Sequence, residues 1–345
     1  MLHEASNVEL RLYKHWLLML LLIPMALLYS SLSSATIYQC KNRLGKIAFQ
    51  DHPCADAGIN DHRYHDKTGT VAHNEKKHFL WKATHNGDSV YLLGSIHVGR
   101  SDMYPLSAPI MDAFNQADVL MVEVDTETAD QQEVARLINQ HGMYPQGTTL
   151  ASQISSDVWD KLVATAKALH VPEFILQQQK PWLASISLVN AMIAKSGYQT
   201  ELGIDRHFIK QAAAAKKQII ELESVESQMK LFSSLSNPEQ LKLLSNSLDE
   251  LQQGSVLLDN LVTAWIKGDH RAIEKLSQES MGIDSKSSRL YTSLIVERNQ
   301  SMANNIISAA KDHRKYYVVV GAAHLVGEQG IPAILKSKGF NIEAL

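Results

Sequence analysis

The sequence predicts an α/β fold with a central mixed sheet, on two observations. One pattern occurs twice: Val90-Tyr91-Leu92-Leu93 runs into Gly94-Ser95-Ile96-His97, and Tyr316-Tyr317-Val318-Val319-Val320 runs into Gly321-Ala322-Ala323-His324. Between the copies lie long stretches with apolar residues at helical spacing. The expected architecture is therefore a sheet built from two strand–Gly-x-x-His halves with a large helical insertion. Each apolar run reads as a buried strand whose carboxyl end delivers a histidine into a crevice, where open α/β sheets bind ligands. The second glycine of each copy, Gly99 or Gly327, lets the backbone turn or approach a neighbour closely. A lone histidine after a strand is more often structural than functional. The repetition of glycine, spacing and strand context is what singles out the pair. Histidines so far apart in sequence converge only if their strands are neighbours in one sheet.

Taken from the start, the 345 residues, 45% hydrophobic, suffice for one large domain or two smaller ones. A net charge of -3 offers no basic surface, which argues against a nucleic-acid partner. Residues 1–35 read as a signal peptide: Arg11 and Lys14 precede the apolar run Trp16–Leu28, and the small residues Ser33 and Ala35 stand where a signal peptidase cuts. Export to the periplasm or beyond is expected, with cleavage after Ala35. Left uncleaved, the same segment would associate with the inner membrane as an anchor, although a run of about thirteen residues is short for a span. Residues 36–56 read as a small β-hairpin module, Ile37-Tyr38-Gln39 up and Lys46 to Phe49 down, carrying the only two cysteines, Cys40 and Cys54. In an oxidising compartment this pair is expected to form a disulfide and stabilise a module with little core; two free thiols or a metal pair are the alternatives. The segment resembles a hairpin module of unknown function that follows signal peptides in bacterial envelope proteins. Residues 57–78 read as a polar linker, in which His62 and His65 have no acidic or thiol partner at a metal-binding spacing.

The main domain is expected over residues 79–345. It opens with a hairpin, Phe79–Ala83 and Ser89–Leu93, across the turn His85-Asn86-Gly87-Asp88. A helix presenting Ile110, Phe114 and Ala117 leads to a strand, Asp118–Asp125, that ends in Glu123 and Asp125. An acid flanked by Val122 and Val124 either points away from the core or is held at the sheet's end by a partner. Helices follow at Ser155–His170 and Pro181–Ala194. A third begins near Gly203-Ile204-Asp205, with Asp205, Arg206 and His207 in its first turn, where capping ordinarily explains an acid. Gln218–Glu223 then repeats the strand-then-acid arrangement. A long helix from about Ser287 to Ala310 contains Glu297-Arg298-Asn299. An Arg-Asn pair in a helix is usually surface; facing the crevice, the planar fork of Arg298 suits a substrate carboxylate or Glu223. A helix from Gly330 to Ser337 and a strand from Phe340 to Ala344 close the chain.

Six pieces, Leu93–His97, Val122–Asp125, Gly203–Asp205, Leu222–Ser224, Glu297–Asn299 and Val320–Gly327, together resemble the TraB/GumN family in content and order. Its members include bacterial envelope and pheromone-shutdown proteins and animal metal-dependent proteases acting on secreted signals. Ser95 and Ser224 stand where the family often has threonine. The resemblance implies an α/β fold related to haem-binding ChaN and erythromycin-esterase-like proteins, with both histidines and a glutamate at the active centre. The chemistry expected from both lines is metal-assisted hydrolysis of a peptide or small ester. His97 and His324, with Glu123 or Glu223, would hold zinc, manganese or cobalt. The remaining glutamate would be general base, Arg298 would stabilise an oxyanion or substrate carboxylate, and Asp205, His207 and Asn299 would bind substrate. Two alternatives stand beside it. One is a non-catalytic haem- or peptide-binding envelope protein, with the histidines as axial ligands. The other is a metal-free esterase-like hydrolase.

Overall fold

A computed structural model describes residues 38–41, 47–50, 78–280 and 289–345. The described residues before and after position 76 belong to two compact units. In the first, β1 (Tyr38–Lys41) pairs antiparallel with β2 (Ile47–Gln50), and Cys40 stands opposite Ala48. The expected signal segment, the linker up to residue 77 and Cys54, hence the expected disulfide, lie outside the described residues. No helix among the described residues is long and apolar enough to cross a membrane.

The second unit is an α/β structure on a mixed six-stranded sheet. Its strands are β3 (Leu80–His85), β4 (Asp88–Ser95), β5 (Val119–Val122), β6 (Gln218–Glu221), β7 (Tyr316–Gly321) and β8 (Asn341–Ala344), in the order β6-β5-β7-β4-β3-β8. β3 and β4 form the expected hairpin; Asn86 and Gly87 both take positive φ, 49° and 92°, the conformation of the tight turn that matches strand twist. β6, β5, β7 and β4 run parallel. β7 enters between β4 and β5, so that Val318 faces Leu92 on one side and Met121 on the other. The two Gly-x-x-His strands are thus neighbours. Every residue of β7 is buried, as expected of a strand covered on both faces, and its sequence is accordingly an unbroken apolar run.

Helices fill the connections. α1 (Ala108–Gln116) links β4 to β5 and buries Ile110, Ala113 and Phe114. Between β5 and β6 come α2 (Gln131–Gly142), α3 (Ser156–Ala168), α4 (Glu173–Gln177), α5 (Pro181–Lys195) and α6 (Ile204–Ala214). Between β6 and β7 come α7 (Val225–Ser233), α8 (Asn237–Leu251), α9 (Val256–Ile266), α10 (His270–Ser280) and α11 (Glu297–Ala309); α12 (Ile331–Ser337) precedes β8. α3, α5 and α8 share a core of their own around Leu162, Leu188, Leu244 and Leu248. α5 is apolar on almost every side because helices surround it, and Trp182 stacks on Phe232 at 5.8 Å.

Two expected boundaries differ. The strand carrying Glu123 stops at Val122, because the N–H of Gly321 on the neighbouring strand is taken by the Glu123 carboxylate at 2.6 Å rather than by a backbone carbonyl. The helix expected from about Ser287 to Ala310 is interrupted by a π-helical segment, Thr292–Val296, directly before α11. Within it the Leu294 carbonyl accepts from Arg298 Nη1 at 3.3 Å, and such segments are frequent beside functional sites.

The loop after β4 is zipped onto the start of α6. Gly99 and Gln199 exchange two backbone hydrogen bonds of 2.9 Å, and Ile204 N–H donates to the Ile96 carbonyl at 2.9 Å. Only glycine permits this approach: a Cβ at Gly99 would stand 2.1 Å from the Leu202 carbonyl oxygen, and one at Gly203 would stand 2.6 Å from that of His97. Gly327 answers the other expectation, taking φ of 75° after the second histidine. The zipper makes a prediction. Gly203→Ala should lower stability by about 1–3 kcal/mol in urea unfolding, as overpacking against fixed backbone does; an unchanged unfolding midpoint would show that the segment yields freely.

Candidate active site

Strand order alone assembles the site. β6, β5, β7 and β4 lie side by side, and just past their carboxyl ends come Glu223, Glu123, His324 and His97, in that spatial order. Pairing continues beyond the strands: Leu222 N–H donates to the Val122 carbonyl at 2.8 Å and Glu223 N–H to that of Glu123 at 2.9 Å. After β7 the chain closes into a single 3₁₀ turn, Ala322–Leu325, in which His324 is fully buried.

Arg298 holds the acidic half of the row. It is 4% exposed; its Nη2 lies 2.7 Å from both Glu123 Oε2 and Glu223 Oε2, and its Nε lies 2.7 Å from Glu223 Oε1. Gln228, on α7, donates to the same two Oε2 atoms at 3.2 and 2.9 Å. Glu123 is therefore the acid held at the sheet's end by a partner. The two carboxyls differ in proton affinity. Burial pushes that of Glu123 up against the pull of Arg298 and His97. Burial works in the same direction on Glu223, but there the charge and hydrogen bonds of Arg298 win and hold the carboxyl below its usual range.

The histidines are each backed by a polar group on a helix. His324 Nδ1 lies 2.5 Å from Asn299 Oδ1, on α11, and Asn299 Nδ2 donates to the Gln329 carbonyl at 2.7 Å. His324 Nε2 is buried without a hydrogen-bond partner, 3.8 Å from Glu123 Oε1. Burial, with the nearby charges of Arg298 and His97, pushes the His324 imidazole well below its ordinary pKa, so it stays neutral. His97 Nδ1 lies 3.2 Å from Asp205 Oδ1, in the first turn of α6, and both side chains are buried. His97 is close enough to Glu123 and His324 to bias their protonation.

The other expected site residues occupy distinct places. The Arg298 fork bonds Glu123, Glu223 and Leu294, which realises the pairing with Glu223 that the sequence left open. Asp205 and Asn299 stand behind the histidines, each facing an Nδ1. His207 packs half-buried against Tyr104 at 5.0 Å, with burial lowering its pKa. Asp125 closes a local turn, accepting from Glu127 N–H and Thr128 Oγ1 at 3.0 and 2.8 Å. Gln228 escaped the sequence reading, because a glutamine in the first turns of a helix carries no signal of burial.

The donor set suits a divalent cation by charge. Three buried carboxyls, Glu123, Glu223 and Asp205, face the guanidinium of Arg298 and the two imidazoles. Among the described residues, however, no three His, Cys, Asp or Glu side chains stand together as a ready metal set. The reason is visible at Glu123, whose oxygens are taken by Gly321 N–H and Arg298. The Nε2 of His324 is a buried donor atom that has no hydrogen-bond partner. Removing the guanidinium should be severe: Arg298→Ala is expected to cost about 3–5 kcal/mol in urea unfolding, the usual penalty for stranding buried charge. Arg298→Lys should recover only part of it, since an ammonium lacks the fork; full recovery by lysine would mean that simple charge suffices.

Comparison with known proteins finds relatives over most of the chain. The uncharacterized protein YbaP of Escherichia coli is 27% identical over 263 residues, covering 75% of this chain and 94% of its own. An uncharacterized protein of Treponema pallidum is 24% identical over 281 residues, 78% of this chain and 82% of its own. A metalloprotease TIKI homolog of Nematostella vectensis is 22% identical over 321 residues, 77% of this chain and 66% of its own. No solved structure matches. The model of the TraB/PrgY/gumN family matches residues 79–344, the stretch that supplies all four strand ends of the site, and the chain belongs to that family.

Proposed function

We propose that the chain is an exported metal-dependent hydrolase, acting on peptides, with His97, His324 and Glu123 at its centre. One observation carries the reading: the fully buried Nε2 of His324 has no hydrogen-bond partner and stands 3.8 Å from a carboxylate oxygen of Glu123, within a buried cluster of three carboxyls. Two acceptor atoms facing each other out of water are costly unless a proton or a cation comes between them. A divalent cation held by the imidazoles beside Glu123 would supply an acidified water and polarise the scissile carbonyl.

The chain's own residues divide the remaining work. His97 and His324 would hold the ion through neutral imidazoles, and the lowered pKa of His324 keeps it competent below the ordinary histidine range. Glu123, with its raised proton affinity, accepts the proton of the attacking water, while Glu223 stays ionised against Arg298; carboxyls pushed apart in this way take separate acid–base roles. Arg298 acts behind them as a positioning residue. The relatives named as metalloproteases support a peptide over an ester. The reading includes removal of residues 1–35, a Cys40–Cys54 disulfide and a periplasmic or secreted location, with membrane anchoring if the segment is retained.

A second reading rests on the same bare nitrogen: His324 Nε2, neutral and fixed in place, suits a general base in metal-free hydrolysis. Chelation separates the two. With the purified chain and a peptide library, cleavage should stop on chelation and return with zinc, manganese or cobalt. Glu123→Gln should then lower kcat about 100- to 10,000-fold. Cleavage that survives chelation but not His324→Ala would favour the metal-free base, and no cleavage of peptides or esters with any of these ions would overturn both.

A further inference from the structure

We infer that Asn299 is a positioning residue that fixes the tautomer of His324, a role distinct from the substrate contact expected of it. The argument starts one hydrogen bond further out. The Asn299 amide nitrogen donates to the Gln329 carbonyl at 2.7 Å, which settles the direction of the amide and leaves its oxygen facing His324 Nδ1 at 2.5 Å. That oxygen only accepts, so Nδ1 carries the imidazole proton and Nε2 keeps its lone pair. The opposite tautomer would oppose two lone pairs at 2.5 Å and leave an Nε2–H facing Glu123 Oε1 at 3.8 Å, beyond hydrogen-bond reach. Neither His324 nor Asn299 has exposed surface through which water would relieve the wrong choice.

The relay also ties separate parts of the fold to one atom. Asn299 comes from α11, one residue after Arg298, and Gln329 lies in the loop that follows the second Gly-x-x-His motif. One turn of α11 therefore sets both halves of the site, the acids through Arg298 and the imidazole through Asn299. A hydrogen-bonded Nδ1–H behind an unpaired Nε2 lone pair is the arrangement that orients histidine ligands in metal sites. What the lone pair takes up rests on the hydrolase reading above; the tautomer does not.

The test uses the full chain with ¹⁵N-labelled histidine, long-range ¹H–¹⁵N correlation, and zinc affinity by competition with a chromophoric chelator. Wild type should show His324 protonated on Nδ1 only. Asn299→Leu should shift the resonances towards the Nε2–H form or a mixture and weaken zinc binding about 10- to 100-fold. Asn299→Asp, which keeps an acceptor at Nδ1, should restore the wild-type tautomer and most of the affinity. An Nε2–H in wild type, or an unchanged tautomer in a folded Asn299→Leu variant, would overturn the assignment. Should Asn299→Leu not fold, the wild-type tautomer and that of Asn299→Asp still decide. The expected tautomers without any zinc binding would uphold Asn299 and remove the metal.

Discussion

A single buried guanidinium sets the terms for this site. Glu123 and Glu223 leave adjacent parallel strands with their carboxylates converging, and two such acids ionise together out of water only with a cation between them. Arg298 supplies it with three bonds of 2.7 Å, a geometry available to a planar fork and not to an ammonium. Because Arg298 is on α11 and Gln228 on α7, the same network aligns the helices between β6 and β7 with the ends of the sheet. One charge does not balance two, and the surplus is shared unequally: Glu223 keeps its ionisation, and Glu123, deeper and less well compensated, is the acid left to exchange a proton.

The second constraint is topological. β7 is the last of the four parallel strands in sequence and sits between the first two, so His324 comes to lie between Glu123 and His97. The site is incomplete until the chain's two ends have met in one sheet. The paired stretches are largely apolar, and the acids and histidines of the site stand one to three residues beyond the strands. The glycines serve the same economy of space, letting the loop after β4 touch the start of α6 so that Asp205 reaches His97.

Much of this was legible in the chain. The repeated Gly-x-x-His after an apolar run, the strand-then-acid pattern at Glu123 and Glu223, and the Asn86-Gly87 turn are local signatures, and each marks a local structure. Roles that depend on remote contacts were not. Arg298 and Asn299 look like surface residues of an amphipathic helix until β5, β6 and the loop at Gln329 are placed against them. Asp205 reads as a helix cap because its partner lies over a hundred residues earlier, and Gln228 has no pattern at all. Asp125 lies beyond the strand, which ends at Val122, and there it closes a local turn with Glu127 and Thr128 that no periodic pattern announces.

The most direct measurement is elemental analysis of the purified chain by mass spectrometry after mild dialysis, with His97→Ala and His324→Ala beside the wild type. Near-stoichiometric transition metal, lost in both variants, is the expected result and would mean that the two strand ends act as one centre. Wild-type protein that holds no metal after incubation with zinc, manganese and cobalt, or metal that persists in either variant, would contradict it.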